Sequence, residues 1–241
     1  SLPVLKQLEP VDLLSCDTRT TTGLLHLLAK CSATLKDLNL VETGISEEGL
    51  VSIPVLKQLE KLNLECCENL TNTGLLQVLA KCSATLRDLN LRRNGISLEG
   101  LGSVLVLQLK KLDLCFCQNL TKTGLLQLIA KCSATLEDIN LEGTGISGEG
   151  LESVPVLKFK KLDLRACERL TNTGLLQLLC KCSATLKDLN LNSTHIRAEG
   201  LQSVPVLKLE TLNLNYCQNL TNTGLLQLLA KCSATLEDLD L

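Results

Sequence analysis

Histidine is almost missing from this chain of 241 residues. The two present, His26 and His195, are near no serine or cysteine in an arrangement that supports general-base or triad chemistry. Net charge is nearly absent as well. Twenty-four basic against 26 acidic residues leave −2, too little to attract nucleic acid or an anionic membrane. No apolar run approaches the roughly 20 residues that span a bilayer. The opening SLPVLKQLE already matches SIPVLKQLE at 52–60, so neither a leader nor an anchor is expected in it. The 13 cysteines include no CxxC knuckle of the kind zinc sites use. There is no phosphate-cradling glycine loop either, because the TGI and NGI strings are turn signals. The expectation is a chain with no catalytic residues, no metal and no cofactor, and with neither nucleic acid nor membrane as partner.

What the sequence has in abundance is itself. CSATL begins at Cys31, Cys82, Cys132, Cys182 and Cys232, a period of fifty residues after one slip. Each period splits again. The pattern LxxLxLxx starts at Leu8, Leu35, Leu59, Leu86, Leu109, Leu136, Phe159, Leu186, Leu209 and Leu236, at spacings alternating between 27 and 23 with one 24 near Gln58. We expect residues 1–241 to form a single array of about ten strand-bearing units, with its core running as a strip between neighbours. The chain opens midway through a short unit and stops just after a strand, which suggests a stretch of a longer array, or uncapped ends that associate end to end with another copy.

One long unit, from Leu59, reads LEKLNLECCENLTNTGLLQVLAKCSAT. Leu59, Leu62 and Leu64 predict a short strand with its apolar side inward. Thr71 or Asn72 can cap a following helix that carries Leu75, Leu76, Leu79 and Ala80 on one face and Gln77 and Lys81 on the other. The short unit from Leu86 has the same strand, then Asn94-Gly95-Ile96, a Ser97 cap and about two helical turns, ended early in sibling copies by Pro54, Pro155 and Pro205. Ten cysteines occupy two repeating slots, one after each long strand and one at each helix end. There a small thiol fits a buried position and reaches a turn carbonyl. Unpaired structural thiols in this number indicate a reducing compartment, cytoplasmic or nuclear.

The pattern LxxLxLxxCxxLTxxGLxxLAxxC resembles the cysteine-containing leucine-rich repeat, and its alternation with NGIS-type units resembles the ribonuclease-inhibitor-like group of leucine-rich repeat proteins. The resemblance implies an α/β solenoid, a horseshoe arc with a parallel sheet on its concave side and helices on its convex side. It also implies a scaffold that binds a protein or peptide. Known members include substrate receptors of ubiquitin ligases and tight inhibitors of enzymes. The leading expectation is a concave-face interaction module, in its most specific form the substrate-recognition part of a ubiquitin-ligase adaptor. The alternatives are a stoichiometric enzyme inhibitor of ribonuclease-inhibitor type, or an engineered or structural array without a natural ligand.

Recognition is expected where the units differ. The third position of the pattern reads Asp37, Lys61, Asp88, Lys111, Asp138, Lys161, Asp188, Thr211, Asp238, an opposite-charge ladder expected to satisfy itself across strands about 4.8 Å apart. The fifth is uniformly Asn or Asp, a polar floor. The seventh and eighth positions diversify, and the candidate contact residues are Glu65, Arg92, Arg93, Phe116, Glu142, Arg165, Asn192, Asn215 and Tyr216. Two of the chain's three aromatics, Phe116 and Tyr216, fall in the eighth position, and aromatic and arginine side chains dominate binding hot spots. Glu65 with Arg92 and Glu142 with Arg165 are expected ion pairs on adjacent strands. Thr43, Asn94, Thr144 and His195 are further candidates for a rim.

Overall fold

The computed structural model describes residues 10–15, 21–101, 106–150 and 154–241. Leu8 and Cys16, expected in a strand start and a thiol slot, lie outside them.

Each LxxLxLxx pattern yields a three-residue strand. They run β1 Pro10–Asp12, β2 Asp37–Asn39, β3 Lys61–Asn63, β4 Asp88–Asn90, β5 Lys111–Asp113, β6 Asp138–Asn140, β7 Lys161–Asp163, β8 Asp188–Asn190, β9 Thr211–Asn213 and β10 Asp238–Asp240. All pair in parallel and in sequence order as one open sheet. The central apolar residue of β1 to β9, such as Leu62, Leu89, Leu112 and Ile139, is buried with the flanking leucines, whereas Leu239 of the last strand is exposed. From β2 to β8 the register sets each third-position Asp beside a Lys, as in Asp37 with Lys61 and Lys61 with Asp88, and Thr211 of β9 ends the alternation.

The long units return along eleven-residue helices: α1 Thr21–Cys31, α3 Asn72–Cys82, α4 Lys122–Cys132, α5 Asn172–Cys182 and α6 Asn222–Cys232. Thr71, Thr121, Thr171 and Thr221 cap the last four, each side-chain oxygen accepting the N–H of the glycine three residues on, at 3.0, 3.0, 2.9 and 3.0 Å. Leu75, Val78, Leu79 and Cys82 form the buried face of α3, whereas Ala80 is exposed. The expected face is thus corrected by one residue: counted from Leu75, the inward stripe runs i, i+3, i+4, i+7.

The cysteine slots are structural, as expected. Helix-end thiols donate to the carbonyl four residues back, Cys132 to Leu128 at 3.1 Å and Cys182 to Leu178 at 3.0 Å. The thiols after the long strands reach back to the preceding short unit instead, Cys67 to Leu40 O, Cys117 to Leu91 O and Cys167 to Leu141 O, at 3.1, 3.0 and 3.1 Å. All twelve described cysteines are free.

The short units depart from expectation. Among the described residues only the first makes an α-helix, α2 Glu47–Ser52. The last reduces to a 3-10 turn at Leu201–Ser203. The extra residue near Gln58 lies downstream of α2, beside a turn closed by the Leu59 N–H on Leu56 O at 3.4 Å.

Candidate functional site

The variable columns lie where strands end, and the fifth-position residue sets their geometry. Its side-chain Oδ1 accepts the backbone N–H two residues on, from Asn63 to Glu65 (3.1 Å), Asn90 to Arg92 (2.9 Å), Asp113 to Cys115 (2.8 Å), Asn140 to Glu142 (3.0 Å) and Asp163 to Arg165 (3.1 Å). Each eighth-position residue from Ser15 to Tyr216 then takes a left-handed backbone, with φ between 51° and 64°. Eight of these nine residues are not glycine, at a steric cost of roughly 1–2 kcal/mol per residue. A backbone bond to the next unit holds each turn: Arg93 N–H to Cys115 O at 2.8 Å, Phe116 N–H to Glu142 O at 2.7 Å, Gly143 N–H to Arg165 O at 2.8 Å. The turn throws seventh and eighth side chains apart, so the two columns have different fates.

The seventh column largely satisfies itself. Glu65 and Arg92 approach to 3.6 Å, and the Asn90 amide also donates to Glu65 at 3.2 Å. Arg165 bonds Glu142 at 2.8 Å and Asp163 at 3.0 Å. Cys115, which holds the seventh position between Arg92 and Glu142, is fully buried and donates its thiol to Glu142 at 3.3 Å. Burial and then that carboxylate push the Cys115 thiol up to about 12. Burial also raises the Asp113 carboxyl above its ordinary value, against hydrogen bonds that lower it. On the sheet itself a depression of about 290 Å³ is lined by the third-position ladder, including Lys111 and Lys161, and Lys161 pairs with Asp188 at 3.1 Å.

The eighth column stays open. Arg93 is exposed, with its guanidinium 5.9 Å from the centroid of Phe116 on the next strand. The other side of that ring lies on Gly143, where an added Cβ would come within 2.3 Å of a ring carbon. Arg93, Phe116 and Gly143 thus stack across three successive strands. Shallow depressions flank them, one of about 490 Å³ lined by Arg93, Gly95, Phe116 and Gln118, the other of about 330 Å³ lined by Phe116, Gln118, Gly143 and Arg169. Tyr216 is 77% exposed but sits four strands from Phe116, roughly 19 Å at sheet spacing, with Asn192 and Asn215 on the units between and beside it.

Three of the further rim candidates are corrected. Thr43, Asn94 and Thr144 are buried, because their side chains donate to the carbonyls of Leu40, Leu91 and Leu141 at 2.7, 2.8 and 2.7 Å and close the turn from inside. His195 stays exposed, its ring 3.2 Å from Glu168 O. Sequence reading also missed Arg169, although a signal existed. Asn69, Asn119 and Asn219 hold the same slot in sibling units.

An ordered parallel sheet backed by helices, one per long unit, with its variable side chains gathered at one rim, defines an extended binding scaffold of stacked repeats. Leucine-rich repeats are present in the chain: a family model described as "Leucine Rich repeat" matches residues 82–105, 132–154, 182–204 and 207–229. Repeats of this family imply a protein–protein interaction module. Among the described residues no helix is long and apolar enough to cross a membrane.

Proposed function

We propose that this chain binds a protein or peptide along the rim where its strands end, with Arg93 and Phe116 as anchors and Arg92 and Tyr216 extending the contact. The observation that carries the reading is the Arg93–Phe116–Gly143 stack. A large aromatic occupies a left-handed position that disfavours it, and the single glycine of the described column stands on the next strand, where the ring needs room. Unselected drift would not be expected to pair them. The chain acts as a binding scaffold without catalysis of its own.

The finer readings are substrate recognition for a ubiquitin ligase, supported by the cysteine-bearing repeat pattern, and stoichiometric enzyme inhibition by the same rim. Free thiols throughout the described residues fit a reducing compartment, cytoplasmic or nuclear. Self-association end to end is the weaker alternative, since it would set two carboxylates, Asp240 and Asp12, side by side in the polar floor, and Asp238 beside Pro10 with no lysine to pair it. An array with no natural ligand remains the rival from a different class.

Affinity capture from a eukaryotic lysate separates these readings. The wild-type chain is compared by mass spectrometry with a variant carrying alanine at Arg92, Arg93, Phe116 and Tyr216. Partners retained by wild type and lost by the variant are the expected result, and their identity distinguishes a ligase substrate from an inhibited enzyme. Identical sets from both baits would overturn the rim as the binding surface.

A further inference from the structure

Arg169 breaks the pattern of its slot at a cost. In three sibling units an asparagine there ties the rim loop to the preceding short unit: Asn69 to Gly44 O at 3.4 Å, Asn119 to Gly95 O at 3.1 Å, Asn219 to His195 O at 3.3 Å. Arg169 forgoes that bond. It is exposed and, among the described residues, forms no ion pair, and Arg93 likewise has no carboxylate partner among them, only the Phe116 ring. Every other arginine of the variable columns is neutralised by Glu65, Glu142 or Asp163. The two unpaired guanidiniums stand at opposite ends of the paired depressions, with Phe116 and Gln118 shared between them.

Resting on the rim reading above, we infer that this trough takes an extended acidic segment of a partner protein, two anionic side chains reaching Arg93 and Arg169 and an apolar residue lying against Phe116. A guanidinium presents a planar fork of donors that matches carboxylate or phosphate, and exposed unpaired forks bordering an aromatic favour an anionic partner over a neutral one. The units of Arg93 and Arg169 are three strand steps apart, about 14 Å, and an extended chain rises about 3.3 Å per residue, so the anionic groups fall about four residues apart. Glu168 is the one carboxylate lining the trough, beside Arg169, and it opposes an anion there.

The probe is an array of synthetic octapeptides in which two positions four apart carry Glu, phosphoserine or Gln, the position midway between them, on the same face of an extended chain, carries Phe or Leu, and the others vary. The expected result is binding in the Glu or phosphoserine sets and not in the Gln set, weakening with salt. Roughly tenfold or more is lost on Arg93→Ala or Arg169→Asn. Binding of the phosphoserine set alone would assign a phosphorylated source, and comparable binding of the Glu set an unmodified acidic one. Arg169→Asn installs the residue that three sibling units carry, so loss through misfolding is not a concern. Equal binding of Gln peptides, no binding by any set, or indifference to Arg169→Asn would overturn the inference. A captured partner that depends on Arg92, Arg93, Phe116 and Tyr216 yet ignores Arg169→Asn would sink the acidic-segment inference while leaving the rim reading intact.

Discussion

The first short unit and the later ones begin alike and fold differently. ISEEGL at 45–50 makes a helix, while ISLEGL at 96–101, ISGEGL at 146–151 and IRAEGL at 196–201 differ at the residue after the serine or arginine. Glu47 stays outside, beginning α2, where its carboxylate accepts the Thr71 hydroxyl at 2.6 Å and suits the positive end of the helix dipole. Leu98 and Ala198 instead turn inward and are buried, each in a left-handed backbone at φ 62° and 55°, with Gly148 at 76°. That conformation drives the preceding carbonyl against the next long helix. Thr121, Thr171 and Thr221 donate to it at 3.3, 3.1 and 3.5 Å. The helical and bare units thus part at this one position, helical at Glu47 and left-handed at Leu98, Gly148 and Ala198.

The glycine of the long helix reports the difference most strongly. A Cβ on Gly174 would lie 1.9 Å from Ser147 O and one on Gly224 1.9 Å from Arg197 O, both backbone atoms. A Cβ on Gly74 would meet side chains and no backbone, the Leu50 methyl at 3.0 Å, the Thr71 hydroxyl at 3.4 Å and Glu47 Cγ at 3.7 Å. Gly174→Ala is expected to destabilise by about 3 kcal/mol or more, and Gly74→Ala to stay within about 0.5 kcal/mol, read by urea unfolding. Equal losses would break the comparison. Glu47→Leu sharpens it: if an apolar residue there pulls the backbone inward, Gly74→Ala becomes costly on that background, with a coupling of about 1 kcal/mol or more in a double-mutant cycle. No coupling would mean that the helix is set elsewhere than at Glu47.

Strands, threonine caps and both thiol slots were legible in the sequence because each follows from a pattern only a few residues long, such as Leu59, Leu62 and Leu64, or Thr71 ahead of Gly74. The short-unit folds were not, because ISEEGL and ISLEGL carry the same helix signals and only burial against a neighbouring unit separates them. The left-handed column was hidden for a similar reason. Glu42, Arg93 and Phe116 announce no positive φ, and what holds them is a backbone bond to the next unit. The ion pairs Glu65 with Arg92 and Glu142 with Arg165 were readable, since adjacency in a parallel sheet follows from repeat spacing. The inward turn of Cys115 was not, and neither was the burial of Thr43, Asn94 and Thr144, which look like rim residues until their hydroxyl or amide is seen closing the turn.

The thiols provide a set on which the two kinds of short unit should agree. Cys67, behind the helical unit, and Cys167, behind a bare one, make the same bond at 3.1 Å, and burial raises both, Cys167 to about 11. Burial pushes the helix-end thiols Cys82, Cys132 and Cys182 up to about 12. At pH 8 their thiolate fraction is on the order of one in ten thousand, so they should react with a disulfide reagent only as fast as the fold opens. Cys180, exposed on the same helix as Cys182, should react first. Fast modification of Cys67 beside a protected Cys167, mapped by mass spectrometry, would show that the helical unit packs more loosely.

The smallest effect belongs to the sheet behind these units. The strand following the helical unit ends in Asn63 and the next long strand in Asp113, although both side chains make the same bond to the second residue on, at 3.1 and 2.8 Å. Asparagine makes it neutral, whereas Asp113 is charged in a place where burial raises its carboxyl above the ordinary 3.8. A raised folded-state value means the native protein holds that proton more tightly than the unfolded chain. Asp113 therefore favours the fold most when pH lies below 3.8, and that contribution is lost as pH rises through the raised value. Asp113→Asn has no such loss, so its stability relative to wild type should improve between pH 3.5 and pH 7, as read from paired unfolding curves at about those two values. The Asn140 amide, 3.2 Å from the Asp113 carboxylate, works against the gain because it loses a charged acceptor. A variant whose relative stability falls as pH rises would show that this bond outweighs desolvation, and that the polar floor keeps its carboxylates for strength along the sheet.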